Sequence, residues 1–122
     1  MNILEAKEIL EENISFFSRE CNGGACISAE DIAPFMDLSD VKSQLSSFTT
    51  QERGEIIGME RELFRVMRDK HIQYHFINLD VNELDKIFRR DKKYPESHWW
   101  WYLDKVKSEE ITENKVFHEG SN

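Results

Sequence analysis

The chain has 122 residues, 39% of them apolar and 33% charged, with 24 acids, 16 Lys and Arg, and a net charge of −8. That size fits one domain with one core. The 5 Gly and 2 Pro exclude collagen-like, linker-like and turn-rich all-β chains, and no apolar run reaches the roughly 18 residues of a membrane span.

Met1-Asn2-Ile3-Leu4-Glu5 has no basic n-region and is acidic from its fifth residue, which does not read as a secretory signal. The expected compartment is therefore the cytoplasm. Ile3 to about Arg19 reads as the first helix. Ile3, Ala6, Leu10, Ile14 and Phe17 recur at helical spacing, with Ile9 and Phe16 widening the stripe. Glu5, Glu8, Glu11 and Glu12 lie mostly off that face, and Asn22-Gly23-Gly24 stops the helix. Cys21 and Cys26 are read as free thiols beside a glycine turn. They are too far apart for a Cys-x-x-Cys redox pair and too few for a zinc site.

Ser28 with Glu30 and Asp31 marks a second helix start, which Pro34 should end or kink. A short helix then follows from Asp37 or Ser39, with Leu38, Val41, Leu45 and Phe48 as its apolar set. Thr49 and Glu52 form a capping box for a long helix running to Lys70. Its core stripe is Ile56, Met59, Leu63 and Met67. Gly54 and Gly58 share a face where a second backbone is able to approach closely.

Residues 71–79 are ambiguous. Ile72, Tyr74 and Phe76 alternate as in a strand, but no convincing partner strand exists, so helix or irregular chain is the preferred reading. Asp80 with Glu83 caps the next helix, which carries Val81, Leu84, Ile87 and Phe88 and ends in Arg89-Arg90-Asp91-Lys92-Lys93. Pro95 suits the start of a last helix from Glu96 to Lys107. Residues 1–107 thus form one helical domain. Residues 108–122 form a polar, flexible tail, with Val116 and Phe117 as one docking point. The fold class is all-α or mainly α: an irregular bundle of five to six helices in a single compact domain, with room for one short strand near residues 71–77.

Charge is uneven. Residues 1–60 hold 12 acids and 4 bases, whereas residues 61–93 hold 6 acids and 9 bases. The acidic field steers basic partners inward and disfavours nucleic acid and anionic lipid. Trp99-Trp100-Trp101-Tyr102 is the most distinctive run. On a helix its rings diverge by about 100° each, so they either plug the core or leave an apolar patch of the kind that anchors interfaces. Enzyme motifs are missing, no cofactor is called for, and His71-x-x-x-His75 lacks the glutamate of a zinc helix, so no metal ligand set is assigned. The chain is therefore read as a non-enzymatic, acidic protein-binding domain. Its sharper form is an inhibitor such as the immunity protein of a basic nuclease toxin. Trp100, Trp101 and Tyr102 are the expected anchors, and Glu8, Glu11, Glu12, Asp37 and Asp40 the steering acids. Surplus aromatics and the glycine face would also suit a homodimer. The alternative is a regulatory or nucleic-acid-associated adaptor using Arg61, Arg65, Arg68, Arg89 and Arg90.

Overall fold

The computed structural model describes residues 1–19, 25–27, 32–70, 73–74 and 94–117. The fold is mainly α-helical. Helix α1 (Ile3–Arg19) opens it, capped by Asn2, whose Oδ1 accepts from the Glu5 amide at 2.9 Å. A short strand β1 (Ala25–Ile27) follows, then α2 (Ile32–Ser43), a 3₁₀ turn (Leu45–Ser47) and the 20-residue α3 (Thr50–Asp69). Strand β2 (Gln73–Tyr74) pairs in parallel with β1. A 3₁₀ turn (Trp99–Tyr102), α4 (Leu103–Lys107) and α5 (Glu113–Val116) complete the described chain.

Helix α1 packs mainly along α3 and more lightly on α2. Its buried stripe is Ala6, Leu10, Asn13 and Phe17, at steps of four and three. The buried apolar residues of α3 are Ile56, Leu63, Phe64 and Met67. The Thr49–Glu52 capping box forms as the sequence indicates. The Thr49 hydroxyl accepts from the Glu52 amide at 3.2 Å, and the Glu52 carboxylate accepts from the Thr49 amide at 2.9 Å.

Four differences from the sequence reading have physical causes. Pro34 neither ends nor kinks a helix. It sits in the first turn of α2, where the amide it lacks would have no intrahelical acceptor. Gly54 and Gly58 are both exposed, and a Cβ at either would meet nothing within 4 Å, so no second backbone among the described residues uses that face. The strand at Gln73–Tyr74 finds its partner in Ala25–Ile27, a segment too short to show a period of two. The C-terminus differs most. Residues 108–117 pack more closely than a loose tail: Ile111 is buried, and Phe117, the docking point named from the sequence, is buried and meets Phe64 edge-on at 5.9 Å. The expected helix around Val81–Phe88, the helix start at Ser28–Asp31 and residues 118–122 lie outside the described residues.

Candidate functional site

The Trp99–Tyr102 run does not form an α-helix. It winds as a 3₁₀ turn, and all three tryptophans are fully buried. Three residues per turn point successive indoles about 120° apart, and here each direction meets core. Trp99 packs edge-on against Phe64 of α3 at 4.9 Å. Trp101 meets Phe35 of α2 edge-on at 5.6 Å and stacks on Tyr94 at 5.0 Å. Tyr102 is 7% exposed, and its hydroxyl donates to the Tyr94 carbonyl. Fully buried indoles and a nearly buried tyrosine present no anchor, so of the two readings of this run the core plug is the one that Trp100, Trp101 and Tyr102 take, and not the expected partner-binding patch.

A buried polar joint holds that plug. Ser39 Oγ accepts from Trp100 Nε1 at 3.1 Å and from Trp101 Nε1 at 2.9 Å, and lies 2.8 Å from His98 Nδ1. An indole N–H only donates, and a hydroxyl has two lone pairs and one proton. Both lone pairs are therefore filled, and the proton goes to His98 Nδ1. His98 is thereby fixed as the neutral tautomer carrying its proton on Nε2. Burial, and secondarily the charge of Lys42, lowers its pKa to about 4. A serine beside a histidine resembles a nucleophile and its base. This hydroxyl, however, is 2% exposed with no lone pair free, and in this arrangement it serves as a clamp.

Beside the joint, Lys42 Nζ contacts the Glu60 carboxylate at 3.0 Å and donates to the Ser97 carbonyl at 2.6 Å. It also lies over the Trp100 ring, 5.7 Å from its centroid. Burial pushes the Glu60 carboxyl up, while Lys42 and the nearby Trp99 indole pull it back down.

The surface site lies elsewhere, between α1 and α2. Ile9, Glu12, Asn13, Phe16, Phe17, Pro34 and Asp37 line a groove of about 280 Å³. The α1 stripe places Asn13 and Phe17 toward the core, while Phe16, one step round the helix, stays 38% exposed. Asn13 is only 7% exposed, and its Nδ2 donates to the Ile9 carbonyl at 2.8 Å. Glu11, Glu12 and Phe16 continue onto an adjoining surface. Among the described residues, neither Glu12 nor Asp37 takes part in an ion pair.

The structure thus brings Glu12 and Asp37 together on one groove. Glu8 and Asp40 are exposed one turn along their helices, and Glu11 adjoins Glu12. The arginine stripe has other partners. Glu113 of α5 accepts from both Arg65 Nε and Arg65 Nη2, and stands 3.8 Å from Arg61 Nε. The Arg65 bond holds the Glu113 carboxyl below the usual carboxylate range. Arg68 pairs with Asp69 at 2.9 Å. Arg89, Arg90, His71, His75 and Cys21 lie outside the described residues. Among the described residues there is no cluster of three or more His, Cys, Asp or Glu side chains able to hold a metal, and no helix long and apolar enough to cross a membrane.

Sequence reasoning missed Asn13, Ser39, Lys42, Glu60 and His98. Two of them left a signal: Asn13 falls on the Ala6–Leu10–Phe17 stripe and Glu60 on the Ile56–Leu63–Met67 stripe. A polar residue in an apolar seam marks a buried polar contact. In comparisons with known proteins, no family model, curated protein or solved structure matches the chain.

Proposed function

We propose that the chain is an acidic protein-binding domain that docks a basic partner on the α1–α2 face. The observation that carries this reading is the groove itself. Apolar Ile9, Phe16 and Pro34 stand beside two carboxylates, Glu12 and Asp37, that make no ion pair among the described residues. An apolar floor rewards desolvation by a partner, and a rim of one sign selects the opposite sign. Glu8, Glu11 and Asp40 extend that sign outward, in the part of the chain that holds 12 acids and 4 bases. In its sharper form the domain is an inhibitor: a compact immunity-type protein that neutralises a basic enzyme, such as a nuclease toxin, by covering its cationic surface.

The adaptor alternative gains no support from Arg61, Arg65 and Arg68. Glu113 and Asp69 engage Arg61, Arg65 and Arg68 within the chain, and a phosphate would have to displace those carboxylates. The test is capture of partners from host lysate by wild type and by a Glu12→Lys/Asp37→Lys variant, followed by reconstitution with the purified partner. The expected result is one 1:1 complex with a protein of net positive charge. Its association rate should fall about tenfold or more from low to moderate salt, and fall similarly in the variant. An association rate indifferent to both salt and charge reversal would overturn the reading. Where the partner is an enzyme, the inhibitor form further requires that complex formation abolish its activity.

A further inference from the structure

We propose that the α1–α2 groove is a pocket for a single arginine side chain displayed by the basic partner, with the guanidinium held by Glu12, Asp37 and the side-chain carbonyl of Asn13. This rests on the protein-binding reading above and adds to it a residue and a ligand chemistry.

Three observations carry it. The first is size. At about 280 Å³ the groove lies just under the roughly 300–1,000 Å³ of sites that take whole small molecules, so it suits one inserted side chain. The second is the polarity of the lining. Asn13 is 7% exposed, and its Nδ2 is committed to the Ile9 carbonyl. A carbonyl only accepts, so the amide cannot be turned end for end. Oδ1 is therefore the end left over, and it has no hydrogen-bond partner among the described residues. Oδ1 is not one of the buried polar atoms that lack a partner among the described residues, so it meets solvent at the groove and is open to an incoming donor. Glu12 and Asp37 add two carboxylates, so the charged groups and the uncommitted amide oxygen are all acceptors. The ligand that matches is a donor-only cation.

The third observation separates arginine from lysine. The Phe16 ring is exposed, and it meets Phe17 edge-on, with ring planes at 85°, which leaves a Phe16 face for stacking. A guanidinium is planar, sheds its water more readily than an ammonium and stacks on aromatic faces. Its five N–H groups spread in one plane and reach acceptors that arrive from two different helices.

The test uses the full chain and three single-residue probes: N-acetyl-arginine amide, its neutral citrulline counterpart and N-acetyl-lysine amide. Each is titrated against the ¹⁵N-labelled protein by NMR. The expected result is saturable shifts at residues 9–16 and 34–37 with the arginine probe, with affinity at least tenfold weaker for citrulline and at least threefold weaker for lysine. Asp37→Asn, at an exposed position, should weaken the arginine probe at least threefold, and Asn13→Leu likewise where the fold is retained. Equal response to citrulline, equal response to lysine, no response, or shifts spread over Glu5, Glu8 and Asp40 without saturation would each overturn the pocket. Any of these leaves salt-dependent association with the basic protein untouched. Failure of the acidic-face reading removes that association and does not alter the single-residue titration.

Discussion

Replacing Ser39 by alanine should unsettle the domain far more than the loss of one hydroxyl suggests. Ser39 is 2% exposed, and its Oγ is the shared partner of Trp100 Nε1, Trp101 Nε1 and His98 Nδ1. Alanine strands all three at once, in surroundings where Trp100 and Trp101 are fully buried and His98 is 8% exposed. At the lower end of about 1 kcal/mol for each buried polar group left unpaired, the loss comes to about 3 kcal/mol. That is a large share of the roughly 5–15 kcal/mol that holds a domain together. With an unfolding entropy of about 2.1 cal/mol/K per residue, it lowers Tm by about 12 °C. Urea unfolding followed by circular dichroism at 222 nm measures the loss directly, with exposed Ser46→Ala as the control. The same Ser39→Ala change made on a Trp100→Phe/Trp101→Phe background should cost only about 1 kcal/mol, because two of the stranded donors are already gone. A Ser39→Ala loss as small as that of Ser46→Ala, or a loss unchanged in the double-phenylalanine background, would refute the shared-hydroxyl argument.

Three further outcomes follow from the same geometry. His98 takes up a proton near pH 6.5 when unfolded but only at about 4 when folded, so the unfolded state binds more protons in between. Stability should therefore fall as pH drops from 6.5 toward 4, by up to about 3 kcal/mol. Glu60 opposes this, because its raised folded pKa favours the folded state as pH falls. Urea midpoints at pH 7, 5.5 and 4.5 should converge between wild type and His98→Gln, and parallel curves would contradict the assignment. Gly54→Ala and Gly58→Ala should each stabilise the monomer by about 0.5–1 kcal/mol, since the added methyl meets nothing within 4 Å. A loss of stability accompanied by a fall in molar mass by light scattering would instead show that a second copy occupies that face. Phe117→Ala should cost about 3 kcal/mol because the ring is 6% exposed against Phe64. Truncation after Lys107 should cost at least as much by thermal melting, and a truncated chain as stable as wild type would return residues 108–117 to the status of a loose tail.

Much of the frame was legible from local rules. The α1 stripe and the Thr49–Glu52 cap depend on neighbours within one helical turn, which a sequence displays openly. Pro34 was misjudged because a proline signal changes meaning with helix position, and the position depended on a start beyond the residues that suggested it. The tryptophan run was left between core plug and surface patch because of its assumed period: at about 100° per residue three adjacent indoles do not all face one side, whereas a tight turn enclosed on every side buries them. The polar joint joins residues 59 to 62 positions apart, and no local pattern encodes such a pairing. Of the candidate site, the acids were legible by charge. The groove that makes two of them neighbours was not, because it depends on how α1 and α2 cross.

All three tryptophans of the chain stand in one four-residue turn. The protein's near-ultraviolet emission therefore comes from a single address, where two of the three emitters share one hydroxyl. Intrinsic fluorescence will report on that turn, on Ser39 and on the protonation of His98. It has no reporter of its own at the α1–α2 groove, whose rings are the two phenylalanines Phe16 and Phe17. A ligand screen read out by native emission would be watching the wrong part of the molecule, and a dye or an isotopic label near residue 37 is the means to see that face.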